Sequence, residues 1–379
     1  MNPILIVGAG IGGLCTALAL QRRGIEVRVF EAACEVRAAG AGIIIAPNGF
    51  RVLAALGLSN DLQTIGVELE RLMLTDAAGR FLMRVPDQQA FVREFGHGLI
   101  GVLRPALYDL LLRQLEPDTV QTAKALTHFV PQAEGVLANF ADGSQVVGRT
   151  LIGADGIHSV VRKQLFPALQ PRYSGQTSYR GVAPYAPANH QILARESWGM
   201  HSRFGLVTVD ANQMYWYATE PAMAGQRDAS KLAAKRRLLE YANQYAPPLR
   251  EVIEATPETH LIRTDMYDLP PLPRWYVGRV VLIGDAAHAT TPNLGQGGNQ
   301  ALEDALVLAN ALAQTTDIEA AFTAFTALRK PRAEYVVARS RQLGNMVHLE
   351  HGWQRALRDA LLRCIPASVN LRQNRQIYG

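Results

Sequence analysis

The chain has 379 residues, of which 48% are hydrophobic and 19% charged, so it is long enough for two domains or for one large domain with an insertion. The formal net charge is +5, but the Lys and Arg residues form no block of the kind that binds nucleic acid, so no nucleic-acid partner is expected. No apolar run reaches the roughly 20 residues of a membrane-spanning helix, and no basic segment precedes the apolar residues 4–7, so neither membrane spanning nor secretion is expected.

The number and spacing of the cysteines indicate the cellular compartment. Cys15, Cys34 and Cys364 are odd in number, far apart in the sequence and in no metal-ligand or CxxC spacing. A reducing cytoplasm is the simplest location for a protein with such cysteines. All three are interpreted as packing residues, and no metal site is predicted.

The first 31 residues carry a dinucleotide-binding pattern. From residue 4 they read ILIVGAGIGGLCTALALQRRGIEVRVFE, which predicts a strand, a glycine turn, a helix and a second strand. In the GxGxxG pattern of Gly8, Gly10 and Gly13, the first glycine permits a tight turn, the second lets a pyrophosphate approach the backbone, and the third lets helix and strand pack closely. Glu31, at the end of the second strand, is placed to accept hydrogen bonds from a ribose diol. NAD and FAD fit this pattern equally, because both carry an adenosine ribose.

The middle of the chain alternates between helical and strand patterns. Helices are predicted over 48–56 and 105–115, and a strand pair over 68–85. Residues 120–152 again have a strand pattern, with a hairpin signal at Asp142-Gly143. The last strand of this region ends in an acid, Asp155.

A second sheet follows. Residues 173–221 are rich in Tyr, Trp and β-branched residues, which predicts an antiparallel sheet inserted between pieces of the nucleotide domain. Helices near 228–254 and a proline-rich linker lead to RVVLIGDAAH, a further strand that ends in an acid, Asp285. Long helical patterns occupy the last part of the chain, at 296–313, 317–341 and 353–364.

Three separated motifs, GAGIGG with Glu31, GADGIHSVVR at 153–162 and GDAAHATTP at 284–292, resemble those of the group A flavoprotein monooxygenases, the para-hydroxybenzoate hydroxylase-like enzymes. The resemblance covers nearly the whole chain. It implies an α/β fold, in which a Rossmann-like, glutathione reductase-like FAD-binding domain carries an inserted, mainly antiparallel β-sheet domain for the substrate and C-terminal helices. It divides the chain into a discontinuous FAD-binding domain (1–75, 98–172 and 273–350), a sheet domain (76–97 and 173–272) and a C-terminal helical segment (351–379).

The resemblance also implies which residues bind FAD. The ADP half is expected to contact Gly8, Gly10, Gly13 and Glu31. Asp155 and Gly156 take a role in the pyrophosphate region and in nicotinamide binding. Arg104, in VLRPALYDLL, corresponds to a family arginine that reaches the cofactor.

The motif around Asp285 is expected to lie at the ring end of the cofactor. Asp285 would hydrogen-bond hydroxyls of the ribityl and pyrophosphate region, and the loop after it would place backbone amides along the pyrimidine edge of the flavin. That loop and the segment expected across the ring contribute Gly295, Gly297, Gly298, Asn299, Gly42 and Ile43. Pro292 resembles the family proline beside the reactive face of the ring and is taken as a catalytic residue.

The implied reaction is reduction of FAD by NADH or NADPH, capture of O2 as a flavin C4a-hydroperoxide, and hydroxylation of an aromatic or heteroaromatic small molecule. The flavin supplies this chemistry, and the protein supplies position, a water-poor cavity and electrostatics. A flavin dehydrogenase or reductase, or a polyene epoxidase, stays open as an alternative on the same fold. A flavin-binding redox sensor without enzymatic activity is a more distant alternative. The protein is expected to act as a monomer or homodimer, and membrane contact is not expected.

The substrate is expected on the inserted sheet. Arg203 and Tyr215 fall on the two arms of a predicted hairpin, and their spacing resembles an Arg/Tyr pair of the FAD-dependent urate hydroxylases. Both are candidates for catalysis and substrate binding, although a surface cation and a core tyrosine would fit the same pattern. Arg180 and Tyr217 are further candidates for the substrate pocket, and His201 is a weaker one.

Two other features have alternative interpretations. His288 either serves the site or is a structural histidine whose hydrogen bonds are satisfied. HGWQRALRDALLRCIP places Trp353, Leu357, Leu361 and Cys364 near one face of a basic amphipathic helix. Such a face can lie on a membrane, but docking onto the protein's own surface is the expected arrangement.

Overall fold

The computed structural model describes residues 2–36, 41–83, 85–186, 193–200, 202–349 and 351–379. His201 lies outside the described residues. The strands are β1 (Ile4–Val7), β2 (Val27–Phe30), β3 (Gly42–Ile45), β4 (Gly66–Glu68), β5 (Arg71–Asp76), β6 (Phe81–Met83), β7 (Ile100–Leu103), β8 (Val120–Gln121), β9 (Leu126–Gln132), β10 (Gly135–Phe140), β11 (Gln145–Gly148), β12 (Thr150–Gly153), β13 (Arg172–Pro184), β14 (Leu193–Trp198), β15 (Arg203–Asp210), β16 (Gln213–Pro221), β17 (Ile262–Asp268), β18 (Tyr276–Val277) and β19 (Val280–Leu282).

The helices begin and end close to the predicted positions in most cases. They are α1 (Ile11–Gln21), α2 (Pro47–Ala55), α3 (Ser59–Ile65), α4 (Gln88–Phe95), α5 (Arg104–Arg113), α6 (Val160–Leu165), α7 (Lys231–Ala242), α8 (Leu249–Ala255), α9 (Asp285–His288), α10 (Gly297–Gln314), α11 (Ile318–Val347), α12 (Gly352–Arg363) and α13 (Ala367–Tyr378). Five helices were not predicted, namely α3, α4, α6, α9 and α13. The first four are short, and the polar sequence of α13 has no apolar periodicity that would indicate a helix.

A parallel sheet forms the centre of the nucleotide-binding part. Its order is β18, β19, β12, β1, β2 and β8, and every pairing is parallel except that of β18 with β19. The central strand β1 consists of four buried apolar residues, as expected for a strand covered on both faces, and Leu5 packs against Gly148 of β11. Helices α1 and α10 pack against each other beside this sheet and extend the same core.

The inserted sheet has the order β17, β13, β16, β15, β14, β5 and β6, and all its pairings are antiparallel except that of β14 with β5. Side chains alternate between its faces. One face carries Tyr179, Phe204 and Trp216, which pack against α7 and α8. The opposite face is therefore available to the nucleotide-binding part of the chain.

The structure moves one predicted boundary. The strand β5 lies whole in the inserted sheet, because Arg71–Asp76 pairs with Leu193–Trp198 along its full length. The sheet domain therefore begins near residue 71 and not at 76. The remaining domain limits stay predictions.

The cysteine interpretation was wrong for two of the three residues. Cys15 is buried within α1 and packs in the core, but Cys34 and Cys364 are exposed. The expected orientation of α12 was also wrong. Trp353, Leu357 and Leu361 face outward, and Arg358 and Leu362 are buried in their place.

A buried ionic network joins α10, α11 and the end of β19. Asp304 accepts hydrogen bonds from the backbone N–H of Gly284 (2.9 Å) and from Arg329 Nε (2.8 Å), and its other close partner is His288 Nε2 (2.5 Å). Burial alone would raise the pKa of Asp304, but His288 and Arg329 together lower it to about 2. The Trp275 ring lies 4.9 Å from the His288 ring. His288 is thus held as a structural residue.

Removing the Asp304 charge should destabilise the fold. Asp304→Asn removes the fully buried one of the two carboxylates that pair with Arg329 and leaves the partly buried Glu303, so we expect the free energy of unfolding at pH 7 to fall by about 2 kcal/mol. Urea unfolding would measure this loss, with the exposed Asp109→Asn as the matched control. Because folding lowers the Asp304 pKa, its contribution is present above the unfolded pKa of about 4 and is lost as the pH falls from there toward about 2. A stability equal to that of the control variant at pH 7 would contradict this prediction.

Candidate functional site

The glycine turn after β1 is shaped by two close backbone approaches. Gly8 has φ +103°, and a Cβ there would lie 2.4 Å from the carbonyl oxygen of Ala154. A Cβ on Gly13 would lie 2.0 Å from the carbonyl oxygen of Gly8. Gly10 precedes α1 in an extended conformation, and no side chain caps this helix. The first amides of α1 are therefore left free in a concave turn, which suits a diphosphate.

Glu31 is fixed at the end of β2. One carboxylate oxygen accepts the N–H of Ala9 (2.8 Å), and the other accepts the N–H of Ala33 (2.9 Å). Each oxygen keeps a further lone pair, because a carboxylate accepts about four hydrogen bonds. Glu31 thus stands beside the glycine turn and can still accept hydrogen bonds from a ribose.

In the second motif, the two oxygens of the Asp155 carboxylate differ in their hydrogen bonding. Asp155 Oδ2 accepts the N–H groups of Val160 (2.7 Å) and Val161 (3.2 Å) at the start of α6. Oδ1 is buried and has no hydrogen-bond partner among the described residues, and desolvation raises the pKa of this carboxyl. Gly156 follows with φ +76°. One oxygen of Asp155 is thus structural, and the other is available to a ligand.

Asp285 lies at the bottom of a cleft. Solvent reaches its side chain, yet protein atoms surround it closely enough that desolvation raises its pKa, against the opposing effect of His288, Arg104 and Arg162. Its Oδ1 is 3.9 Å from the position that a Cβ on Gly297 would occupy. The carboxylate therefore lies next to the first turn of α10 and remains accessible to a ligand.

Arg162 was missed in the sequence, although it ends the quoted GADGIHSVVR motif. It is fully buried and donates to the carbonyl oxygens of Ala286 (3.2 Å) and Ile157. Burial lowers its pKa, and the carboxylates of Asp155 and Asp285 oppose that shift. Arg162 thus links the second and third motifs electrostatically. The sequence signal for this residue was a single arginine after two valines at the end of the motif.

Arg104 lies among the predicted site residues. Its charge contributes to the pKa shifts of Asp285, Tyr215 and Arg180, which places its guanidinium near all three. Its Nε is buried without a hydrogen-bond partner among the described residues. Such an orphaned donor is unfavourable unless a ligand satisfies it.

The predicted ring-binding segments meet. A Cβ on Gly298 would lie 2.6 Å from Ile43 Cδ1, and one on Gly42 would lie 2.5 Å from Tyr215 Cγ. The loop before α10 is exposed at Pro292 and at Gly295, which has φ +63°. The start of β3 therefore lies between this loop and the inserted sheet.

Asn299 holds these segments in place. Its amide donates to the carbonyl oxygens of Ile44 (3.0 Å) and Gly295 (3.1 Å), and its Oδ1 accepts the N–H of Ala46 (3.0 Å). Because Asn299 is fully buried and both ends of its amide are hydrogen-bonded, its side chain serves the fold, and contact with a cofactor is expected only from its backbone. Cofactor binding by Asn299 stays a prediction.

The substrate candidates share one face of the inserted sheet. Arg203 pairs with Thr219 across the strands, and Tyr215 pairs with Val207, so the two are four positions apart and not adjacent. Tyr217 lies between them: its ring is 5.7 Å from the guanidinium carbon of Arg203 and 6.1 Å from the Tyr215 ring. Arg180 pairs with Tyr217 on the same face and donates to Thr264 Oγ1 (2.7 Å).

Arg203 is not the surface cation of the alternative interpretation. It is 1% exposed, and its Nη2 donates to Asn293 Oδ1 at 2.7 Å. The Asn293 amide in turn donates to Thr291 Oγ1 and to the Ser340 carbonyl oxygen (both 2.9 Å). This chain of bonds connects the inserted sheet to the loop that follows Asp285.

Asn293, Glu196 and His348 were all missed. Glu196 lies 3.6 Å from Arg203 Nη1 and accepts a hydrogen bond from the Tyr217 hydroxyl. His348 contacts Thr219 Oγ1 at 3.1 Å, and desolvation together with Arg203 lowers its pKa to about 3. Each of these residues acts through a contact with a different element. Only Asn293, within the GDAAHATTPNLGQGG stretch, had a local sequence signal.

Known proteins agree with this geometry. A family model described as FAD binding domain matches residues 1–340. Aurachin C monooxygenase/isomerase of Stigmatella aurantiaca is 36% identical over 375 residues, which cover 99% of this chain and 97% of the relative. FAD-dependent urate hydroxylase of Klebsiella pneumoniae is 34% identical over 366 residues, 94% of each protein. The crystal structure of Klebsiella pneumoniae HpxO complexed with FAD and uric acid has a TM-score of 0.92 and 31% identity, and covers 100% of this chain and 97% of that one.

The chain therefore belongs to the FAD binding domain family, within the para-hydroxybenzoate hydroxylase-like group that its motifs resemble. It is a FAD-dependent monooxygenase, and the predicted α/β fold class is confirmed. The residues in the cleft fit FAD, because a glycine turn with free amides, an unpaired Asp155 oxygen and an unpaired Arg104 Nε surround it.

Asp285 should contribute strongly to FAD retention. Asp285→Ala removes a charged acceptor facing the cleft, which is worth about 1.5–3 kcal/mol, so we expect FAD to bind roughly ten- to a hundredfold more weakly. Titration of apoprotein with FAD by flavin fluorescence would measure the dissociation constant, with Asp109→Asn as control. An unchanged FAD affinity in the Asp285 variant would remove this residue from the cofactor site.

Proposed function

We propose that this protein hydroxylates an aromatic or heteroaromatic small molecule, with NADH or NADPH as transient reductant and O2 as co-substrate. The observation that carries the proposal is the hydrogen bond of 2.7 Å between Arg203 and Asn293. It joins the face with Tyr215 and Tyr217 to the loop that bears Pro292. A flat molecule bound on that face would lie next to the predicted position of the flavin ring. We also propose that the protein is located in the cytoplasm.

The charges of the face favour a substrate with an acidic OH or NH. Arg203 has two buried donor groups, Nε and Nη1, without hydrogen-bond partners among the described residues, and Arg180 has one. Glu196 is the nearby carboxylate. It lies 3.6 Å from Arg203 Nη1 and balances part of that charge, and it accepts hydrogen bonds from Tyr217 and Trp198. Guanidinium groups would stabilise the deprotonated form of such a substrate and raise its nucleophilicity.

Tyr215 and Pro292 are proposed to position the ring. Tyr215 lies against Gly42 and is partly accessible to solvent, and desolvation raises its pKa, so it stays protonated and can donate a hydrogen bond. Pro292 presents an apolar ring without an N–H group at the exposed turn of the loop. Together they would bound a cavity with little water, which suits oxygen transfer.

The cofactor would be held by the residues that converge on the cleft. Gly8, Gly10, Gly13 and Glu31 would hold its ADP half, Arg104, Asp155, Gly156 and Asp285 its middle, and the backbone at 42–43 and 295–299 its ring. When bound, FAD would supply the redox chemistry, which is acceptance of a hydride and activation of O2. The protein contributes placement and electrostatics.

The relatives suggest which substrates to try first. They include enzymes named for urate, 3-amino-4-hydroxybenzoate and 2-heptyl-3-hydroxy-4(1H)-quinolone, all of them aromatic or heteroaromatic compounds. Urate, 4-hydroxyquinolines and aminohydroxybenzoates therefore form the first panel. A compound of the correct class should stimulate NAD(P)H oxidation by the purified yellow protein.

Labelled oxygen would test the reaction itself. We expect one atom of ¹⁸O from ¹⁸O₂ in the product, measured by mass spectrometry, with one NAD(P)H consumed for each product molecule. Product without label, together with anaerobic turnover on an artificial acceptor, would favour a dehydrogenase. Substrate-stimulated release of hydrogen peroxide without product would identify only an effector.

Arg203 should affect coupling and not flavin binding. We expect Arg203→Ala to raise KM or the fraction of reducing equivalents lost as hydrogen peroxide by at least tenfold, since a buried charged hydrogen bond is worth about 1.5–3 kcal/mol. The flavin spectrum should stay unchanged. Arg203→Lys keeps the charge but loses the planar fork, so it should recover only part of the loss. The exposed Arg236→Ala serves as control, and kinetics of Arg203→Ala equal to those of the control would contradict the proposed role.

A further inference from the structure

The helix α12 has its apolar face turned away from the protein. Trp353 is 67% exposed, Leu357 53% and Leu361 61%. They lie on one side of the helix because they are spaced four residues apart. The inner face instead buries Arg358, whose guanidinium donates to the Val347 carbonyl oxygen and lies 4.9 Å from the Trp198 ring.

The exposed apolar surface continues onto β6. Phe81 is 61% exposed, and its carbonyl oxygen accepts a hydrogen bond from Arg363, the last residue of α12. We call the surface formed by Phe81, Trp353, Leu357 and Leu361 the α12 patch. A contiguous patch of large apolar side chains on a monomer usually marks an interaction site.

The α12 patch has a basic border. The helix α12 contains three arginines and one aspartate, a formal charge of +2 (3 − 1), and two of its arginines, Arg355 and Arg363, are not buried. The aspartate, Asp359, is paired with Arg358. On the adjacent hairpin, the Asp76 carboxylate is shared by Arg80 and Arg363, whose side chains are 75% and 46% exposed. The outward charge around the patch is therefore positive.

We propose that the α12 patch docks the protein peripherally on an anionic phospholipid surface. A helix with an outward apolar face, a tryptophan and flanking arginines is suited to the boundary between headgroups and acyl chains. A second copy of the chain fits less well, because it would bring an equally basic border against this one. The four side chains also supply only part of the roughly 800 Å² that each partner of a stable complex buries.

Docking through the α12 patch would place the lipid surface close to the proposed substrate face, with only the α12 helix between them. Trp198, which is covered by Arg358 of α12, pairs with Arg203 across the strands β14 and β15. No helix in the described part of the chain is long and apolar enough to cross a membrane, so the proposed contact is peripheral.

Tryptophan fluorescence gives a specific readout. The chain has four tryptophans, of which Trp198, Trp216 and Trp275 are at most 4% exposed. With the FAD-loaded protein and vesicles of 30% phosphatidylglycerol in phosphatidylcholine, we expect a blue shift of the Trp353 emission and quenching by brominated acyl chains. Flotation with the same vesicles should carry the yellow protein upward, and 0.5 M salt or pure phosphatidylcholine should reduce binding at least fivefold.

Variants distinguish vesicle binding through the α12 patch from nonspecific adsorption. Leu357→Ser combined with Leu361→Ser should weaken vesicle binding at least tenfold without changing the FAD content, because both side chains point outward. The control is Leu328→Ser, which removes an equally exposed leucine (68%) from α11 and should bind vesicles like the unmodified protein. Binding that the double variant retains in full, or the absence of any vesicle binding, would overturn the proposal. A dimer in light scattering that the double variant abolishes would overturn it in favour of self-association.

Discussion

Parallel pairing of β19, β12 and β1 is the constraint on which the site depends. Parallel neighbours end at the same edge of a sheet, so the residues after these strands must share one cleft. Gly8 follows β1, Asp155 lies two residues after β12, and Asp285 lies three residues after β19. The close approach of Gly8 to Ala154 shows how little room the arrangement leaves between neighbouring strand ends. Segments from opposite parts of the chain therefore form one surface for a long, charged cofactor.

The second requirement is that the inserted sheet keeps its position over that surface. Tyr215 lies directly against Gly42, and Arg203 reaches the loop through Asn293. Both contacts are buried or nearly so, and both join residues more than 80 positions apart in the sequence. A sheet built from two separate segments of the chain thus gains its orientation from a few specific contacts and not from its connections.

The fold and the cofactor motifs were predictable because each depends on local constraints. Gly8 and Gly13 cannot be replaced without a clash, so the GxGxxG spacing carries the geometry of the turn. The hairpin of Arg203 and Tyr215 was also predictable, but the strand register placed Tyr217 between them. Glu196 and His348 could not be found from the sequence, because their partners lie on elements whose contacts no local pattern encodes, whereas Arg162 lies in a recognised motif and was overlooked. The periodicity of α12 predicted which residues form its apolar face. It did not predict that this face points to solvent, which follows from the inward packing of Arg358.

The hydrogen bonds that hold the Asp155 carboxylate in place reduce the entropy cost of binding the cofactor. Because one oxygen is bonded to the first amides of α6, the side chain has already lost its rotational freedom before any ligand arrives. Glu31 is restrained in the same way by the amides of Ala9 and Ala33. Ordering flexible side chains costs about 0.5–1.5 kcal/mol each, and that cost is met here during folding. The cofactor should therefore associate with a small loss of protein conformational entropy and with an enthalpy dominated by new polar contacts.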